Sequence, residues 1–161
     1  MPSFTDDIAA VRTLRTRLEV QFASGDYGAS YASGVDVIMT FDESDEPEHA
    51  GRPMLLIWQE SGELSSWSSM DGDWRDVAVI AEIRADDFSG TQVGTANPVA
   101  VDELLSRDLQ KEICGNRAAW SDMGLLNTRI RPQRMVVDEG DEQTAPIRKT
   151  QHRIEFKYNR N

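Results

Sequence analysis

The last segment of the chain constrains the fold most. Between residues 152 and 158 every second side chain suits a core, and the residues between them are charged: His152, Ile154, Phe156 and Tyr158 alternate with Arg153, Glu155 and Lys157. A period of two is typical of a β-strand that buries one face and exposes the other. The segment therefore predicts a closing strand with one buried and one basic face.

Four more segments predict strands that this one can join. Apolar side chains occupy the odd positions of 35–41. The apolar run at 53–58 is typical of a central strand that is covered on both faces. In 77–84 the odd positions are all apolar, and the even positions become polar only at Glu82 and Arg84, so one face of this strand is apolar throughout and the other only at its start. The strand at 127–137 holds Pro132, which places it at an edge of the sheet or gives it a bulge.

Two segments predict helices. In 8–22, apolar side chains at helical spacing form one stripe, and Ser3 or Thr5 is suited to cap its start. A second amphipathic helix opens at 97–98, where proline takes the first helical position, and a short extra turn reaches Trp120. Both stripes predict packing against the sheet.

The whole chain, 1–161, predicts a single α+β domain. We expect a mixed, mostly antiparallel sheet of about five strands with two helices packed on it, in the order α-β-β-β-α-β-β. A chain of 161 residues can bury a core without metals or disulfides. Its single cysteine excludes an internal disulfide and a cysteine-based zinc site.

The composition is strongly acidic. Twenty-eight acidic residues against seventeen basic ones give a net charge of −11, and fourteen of the bases are arginines. Such a surface is expected of a halophilic protein kept soluble at high salt, where self-repulsion is screened. A protein from a GC-rich genome would also favour arginine. The high-salt interpretation predicts partial unfolding in dilute buffer.

The charge is also unevenly placed. Residues 129–161 hold eight bases and five acids, net +3, so residues 1–128 carry −14. Regions of opposite sign on one domain can attract each other between copies, which favours head-to-tail assembly. They can equally form ion pairs between neighbouring strands of one chain. The acidic bulk argues against sequence-specific nucleic acid as a partner.

Motifs that carry chemistry are missing from the sequence. The two histidines are His49, in an acidic loop, and His152, on the apolar side of the last strand, and no nucleophile motif accompanies them. Cys114 is predicted to fill the core or lie half-buried. The acidic loop at 42–48 lacks the spacing of a calcium loop. We therefore expect no enzyme and no catalytic, cofactor-binding or metal-binding residues.

Membrane and secretion signals are missing as well. No stretch approaches the roughly 20 apolar residues of a membrane span. The start of the chain is acidic and lacks the apolar region of a secretory signal. We therefore expect no membrane partner.

Two tryptophans stand in a polar surrounding. The triplet 61–63 predicts a turn, and after it Trp67 and Trp74 flank a stretch of serine, aspartate and glycine. Aromatic side chains on polar loops are enriched where another protein docks. The alternative is that both fold back over the edge of the sheet.

Five segments together share their order with a known protein family. They are the first helix at 8–22, the strand at 53–58 with the arm after it, the strand at 74–84, the helix at 99–113 and the closing strand at 153–158. In element order and alternation, over most of its length, the chain resembles the tail-terminator (tail-completion) proteins of long-tailed phages and archaeal tailed viruses.

The resemblance implies a structural protein of the virion, assembled in the host cytoplasm. Copies of it would form a ring, a hexamer, that caps the tail tube, stops its polymerisation and joins it to the neck. The implied partners are other copies of the chain, the tail tube protein and a neck or connector protein. We expect the contacts at Arg129, Arg131, Arg134, Arg153, Lys157, Trp67 and Trp74.

Two rival functions fit the same sequence. One is another neck or head-completion connector protein of a virus. The other is a small acidic protein-binding module of a halophilic cell, which would grip one partner with the arm between Trp67 and Trp74. An obligate ring separates the viral functions from the monomeric module.

Overall fold

The described part of the chain forms five strands and three helices. A computed structural model describes residues 2–23, 27, 31, 34–40, 53–66, 72–86, 101–138 and 147–161, with the backbone alone at 86, 136–138, 147 and 148. The elements are α1 (Asp7–Ala23), β1 (Asp36–Met39), β2 (Met54–Leu64), β3 (Asp73–Asp86), α2 (Val101–Gly115), α3 (Arg117–Asp122), β4 (Leu126–Asp138) and β5 (Ile147–Arg160). The predicted α+β class and element order are confirmed, and α3 is the extra turn expected up to Trp120.

All five strands form one sheet in the order β1-β2-β3-β5-β4. β1 runs parallel to β2, and every other neighbouring pair is antiparallel. The closing strand β5 therefore lies between β3 and β4, and β4 is an edge strand. Both consequences expected of Pro132 occur, because β4 is at the edge and carries a bulge between Pro132 and Arg134.

The helices cover one face of the sheet, which we call the helix face. Val11, Leu14, Leu18 and Phe22 of the α1 stripe are buried as predicted, but Ile8 at its start is 50% exposed, so the buried stripe is one residue shorter than expected. The helices α2 and α3 add the other apolar side chains above the strands. The largest fully buried side chains of this core are Leu14, Leu18, Phe22, Leu55, Ile57, Ile83, Leu105, Leu109, Trp120 and Tyr158. This burial is the main stabilising contribution to the fold.

The opposite face of the sheet, the outer face, holds a smaller buried cluster. Met54, Leu56, Trp58 and Ile80 lie there at 6% exposure or less, next to the half-buried Ile38. Residues 54–58 of β2 are therefore buried on both faces, as the apolar run predicted.

One predicted turn is wrong. The triplet at 61–63 continues β2, which runs on to Leu64 with a bulge between Gln59 and Ser61. A Cβ atom at Gly62 would overlap Asp7 Oδ2 and lie 2.7 Å from Gln59 Nε2. The glycine is therefore needed for the close approach of α1, and its turn signal is misleading.

Three smaller expectations are corrected. Asp6 caps α1, since its Oδ1 accepts the Ala9 N–H at 2.8 Å, in place of the serine or threonine expected before it. Cys114 is exposed, because it lies on the side of α2 away from the sheet. In β1 only Val37 is fully buried, so its predicted apolar face is incomplete. Some predictions fall outside the described residues. They are the helix start at 97–98, the loop at 42–48 with His49, and the position of Trp67.

Polar contacts attach α1 to the rest of the domain. Asp7 accepts two hydrogen bonds from Arg75, at 2.7 and 2.9 Å, and one each from Tyr158 and Gln59. Burial alone would raise the pKa of Asp7, but these hydrogen bonds, the one from Arg75 first among them, outweigh burial and hold the pKa below its usual range. The start of α1 is thereby fixed to β2, β3 and β5.

Candidate interaction surface

The basic residues expected at an interface lie together on the outer face. Arg153 and Lys157 alternate along β5 with side chains that are buried under the helices, so they point the other way. The register of β4 sets Arg129 opposite Glu155 and Arg131 opposite Arg153. The structure thus brings four of the predicted residues onto one face.

Glu155 is the centre of this group. It accepts hydrogen bonds from Arg129 Nε at 2.6 Å, Arg131 Nη2 at 3.3 Å and Arg153 Nε at 2.8 Å. Burial alone would raise the pKa of Glu155, but the hydrogen bonds from Arg153 and Arg129 outweigh it and hold the pKa below its usual range. The side chains of Arg129 and Arg131 are still 75% and 68% exposed, so both can reach a partner.

Acidic side chains from other strands complete the outer face. Arg153 Nη1 donates to Glu60 Oε2 at 2.5 Å. Lys157 forms an ion pair with Asp76 and donates to Ser65 Oγ at 3.2 Å. The uneven charge was expected to cause either attraction between copies or ion pairs between strands of one chain. These residues form ion pairs within the chain. The exposed face of β5, expected to be basic, is part of a mixed-charge surface.

A groove of about 340 Å³ crosses this surface. Small side chains lie in its lining where Ser61 of β2 pairs with Ala78 of β3. Cations and anions line it in equal number: Arg129, Arg153, Lys157, Glu63, Asp76 and Glu155. Such a balance suits a protein surface with matching charges better than it suits a free anion or a nucleic acid backbone.

Two further predicted residues, Arg134 and Trp74, lie around this group. Arg134 is exposed farther along β4, opposite Gln151, and it lines a second groove of about 260 Å³. Trp74 is half-buried on β3. It alternates with Arg75, which reaches Asp7 on the helix face, so Trp74 belongs to the outer face.

Sequence reasoning missed the acidic end of β2. Glu60 and Glu63 reach the outer face, and Leu64 is 64% exposed. A comparably exposed apolar side chain, Met135 at 65%, lies on β4. The turn predicted at 61–63 hid this end of the strand. The sequence signal that could have found it is the pair Glu60 and Glu63, which directly follows the predicted central strand and has the opposite charge to the basic side chains of the last strand.

A serine and a histidine also meet between α2 and β5. Ser106 Oγ lies 2.7 Å from His152 Nε2, and these residue types occur together in nucleophilic catalysis. His152 Nδ1, however, is buried and has no hydrogen-bond partner among the described residues, where a catalytic histidine is held by a carboxylate. Ser106 lies within α2, whose backbone N–H groups are used by the helix and cannot form an oxyanion hole. The pair attaches α2 to the sheet.

Acid should destabilise the protein through His152. Burial holds the pKa of His152 below its usual range, so the folded state keeps the ring neutral. The unfolded chain takes up this proton below about pH 6.5, so the stabilisation is complete above that pH and declines as the pH falls. Urea unfolding should give a smaller free energy at about pH 5.5 than at about pH 7.5.

A His152→Gln variant tests this assignment, since it should lose part of that pH dependence. His49 is present in both proteins, so its own titration cancels in the comparison. The same pH dependence in both proteins would contradict the assignment.

Other kinds of site find no support in the described segments. Among their residues, no three His, Cys, Asp or Glu side chains come together as a metal site. No helix within those segments is long and apolar enough to cross a membrane. No model of a known protein family and no characterised protein sequence matches the chain.

Proposed function

We propose that this chain is a structural virion protein, a tail terminator whose copies form a ring. The ring caps the tail tube, ends its polymerisation and joins it to the neck of the particle. The observation that carries the proposal is the outer face, where strongly exposed arginines belong to a chain that is otherwise highly acidic.

The element order supports this function. A helix leads into three strands, of which β2 and β3 are an antiparallel pair, a helical segment follows, and two long strands close the chain. This is the layout of the tail-terminator family that the sequence resembles. The short helix α3, directly after α2, is compatible with it.

The charges of the outer face support assembly from identical copies. A closed ring requires one patch of each subunit to meet a different patch of the next. Arg129, Arg131 and Arg153 share the two carboxylates of Glu155 and Glu60, so this group keeps one positive charge in excess. Residues 1–128, at −14, supply acidic surface on every neighbouring copy.

The molar mass in solution is the direct test of the ring. We expect light scattering after size exclusion to give a ring-sized species in molar potassium chloride, alone or with the tail tube protein of the same virus. Added protein should also shorten the tubes that the tube protein forms, as seen by electron microscopy. A strict monomer in molar and dilute salt, even with tube protein, would favour the binding module, and a ring that leaves tube length unchanged would favour another neck component.

Charge reversal at Arg131 and Arg134 should abolish the ring. The Arg131→Glu, Arg134→Glu variant sets negative charge against the acidic surface of a neighbour, and like charges in direct contact repel even at high salt. Both side chains are exposed, so the monomer should keep its fold and circular dichroism spectrum. The measurement is molar mass by light scattering.

A matched control changes the same charge on the opposite side of the domain. Arg107 and Arg117 are exposed on α2 and α3, above the helix face. Reversing both to glutamate changes the net charge equally and should leave the ring intact. Unchanged assembly of the Arg131, Arg134 variant would remove these residues from the interface.

A further inference from the structure

Both edges of the sheet hold strand segments that no other described strand covers on their outer side. β1 pairs only with Met54–Ile57, and no strand within the described residues covers β2 from residue 59 to residue 64 on that side. At the other edge, β5 is the one strand of the described segments that pairs with β4. Such segments present rows of backbone N–H and C=O groups that can pair with another chain.

The outer side of β1 is less accessible to an added strand than these two segments. The N–H groups of Asp36 and Thr40 bond to β2, so the carbonyl of Val37 points away from the sheet. Arg15 Nε donates to that carbonyl at 3.1 Å. An incoming strand would have to displace this side chain, so the open length is the second half of β2.

The two open segments carry opposite charges at equal spacing. Glu60 and Glu63 lie three residues apart on β2, and Arg131 and Arg134 lie three residues apart on β4. An odd spacing normally places two side chains on opposite faces of a strand. Each segment contains a β-bulge, which brings both of its charged side chains to the outer face.

We infer that copies of this chain join edge to edge, with Ile130–Met135 of one copy lying antiparallel beside Gln59–Leu64 of the next. In this register Glu60 faces Arg134 and Glu63 faces Arg131 across the junction. The inference rests on the proposed function, because it names the contact by which the ring would form.

Apolar contacts and strand direction agree with this register. Leu64, one of the most exposed apolar side chains, comes to lie beside Ile130, which is only partly buried at the end of the core. Within one chain β2 and β4 run in opposite directions, because three antiparallel pairings separate them. A neighbour rotated by a fraction of a turn therefore presents β2 antiparallel to β4.

The contact also has the symmetry that a ring needs. Its two halves are different patches at opposite edges of the same sheet, so each copy can bind one neighbour at β2 and another at β4. Contacts of this heterologous kind close into rings when the rotation fits.

Cysteine cross-linking tests the contact directly. In a Cys114→Ser background, which removes the exposed native thiol, Glu63→Cys and Arg131→Cys are introduced together. Within one chain these positions are separated by three strand spacings, at least about 14 Å, which is too far for a disulfide. Mild oxidation should therefore link different copies and give a ladder beyond the dimer on a non-reducing gel.

The controls keep the number of cysteines constant. Glu63→Cys with Arg107→Cys has the same background and two cysteines, but its second thiol lies on α2, away from the edge. It should give no ladder, and the two single variants should give at most a dimer. A ladder of equal yield in the Glu63, Arg107 protein would overturn the inference.

A charge exchange provides the second measurement. Glu63→Arg alone and Arg131→Glu alone should each lower the molar mass to that of the monomer, and the variant with both changes should restore the ring. If the wild-type protein forms a ring but neither the ladder nor the restoration occurs, the edge contact is wrong and the proposed function stands. A monomeric wild type without cross-links refutes both.

Discussion

Replacing Arg17 by methionine is expected to lower the free energy of unfolding by about 4 kcal/mol, the usual cost of breaking a buried ion pair. Arg17 Nε donates to Glu112 Oε1 at 2.8 Å, and its guanidinium lies 5.5 Å from the centre of the Trp120 ring. Methionine keeps an apolar stem over the ring. It leaves the fully buried carboxylate of Glu112 with Asn116 Nδ2, at 2.6 Å, as its remaining side-chain donor among the described residues.

Urea unfolding at fixed salt measures this loss. The matched control is Arg107→Met, which breaks the pair of Arg107 with Glu103 on the surface of α2, where both side chains are more than half exposed. Exposed pairs of this kind contribute little, so the control should be close to wild type. Equal stability of the two variants would contradict the buried-pair account.

Local periodicity was enough to predict most of the fold. The stripe through α1 predicted most of the side chains that this helix buries, such as Leu14 and Phe22, and failed only at its exposed first member, Ile8. The alternation in β5 predicted a strand with a buried side, and Pro132 predicted an edge or a bulge. These features depend on neighbours a few residues away, which is the range that a sequence displays directly.

Contacts between distant segments were beyond that range. The partners of Arg153 illustrate this, because Glu60 comes from a strand more than ninety residues earlier and reaches it through the order β2-β3-β5. The basic side chains of the outer face could be predicted from alternation, but the acids that pair with them could not. The pairing of Ser106 with His152 was missed for the same reason.

Gly62 shows how a long-range contact reverses a local signal. Glycine between serine and glutamate favours a turn, but here it continues β2 because Asp7 approaches its Cα from α1. Because Gly62 has no side chain, α1 can pack closely against β2, although Asp7 and Gly62 are 55 residues apart in the sequence. No pattern within β2 could have predicted that use.

Replacing Gly62 by alanine should therefore lower the free energy of unfolding by about 3 kcal/mol and the melting temperature by about 6–12 °C. The new Cβ would overlap Asp7 Oδ2, so the carboxylate must leave Arg75 and Tyr158. Gly115→Ala is the matched control. No atom lies within 4 Å of a Cβ at that helical position, so alanine should be neutral or slightly stabilising.

Two measurements show whether the stability loss of Gly62→Ala comes from its overlap with Asp7 or from general crowding of β2. Asp7 has a lowered pKa, so its stabilisation is present above about pH 4 and is lost as the pH falls through the folded-state value. The Gly62→Ala variant should show less of this acid-dependent loss than wild type. In an Asp7→Ala background the glycine substitution should cost much less, because the overlapping oxygen is gone. If the cost is the same with and without the carboxylate, the strand itself, and not the docking of α1, requires the glycine.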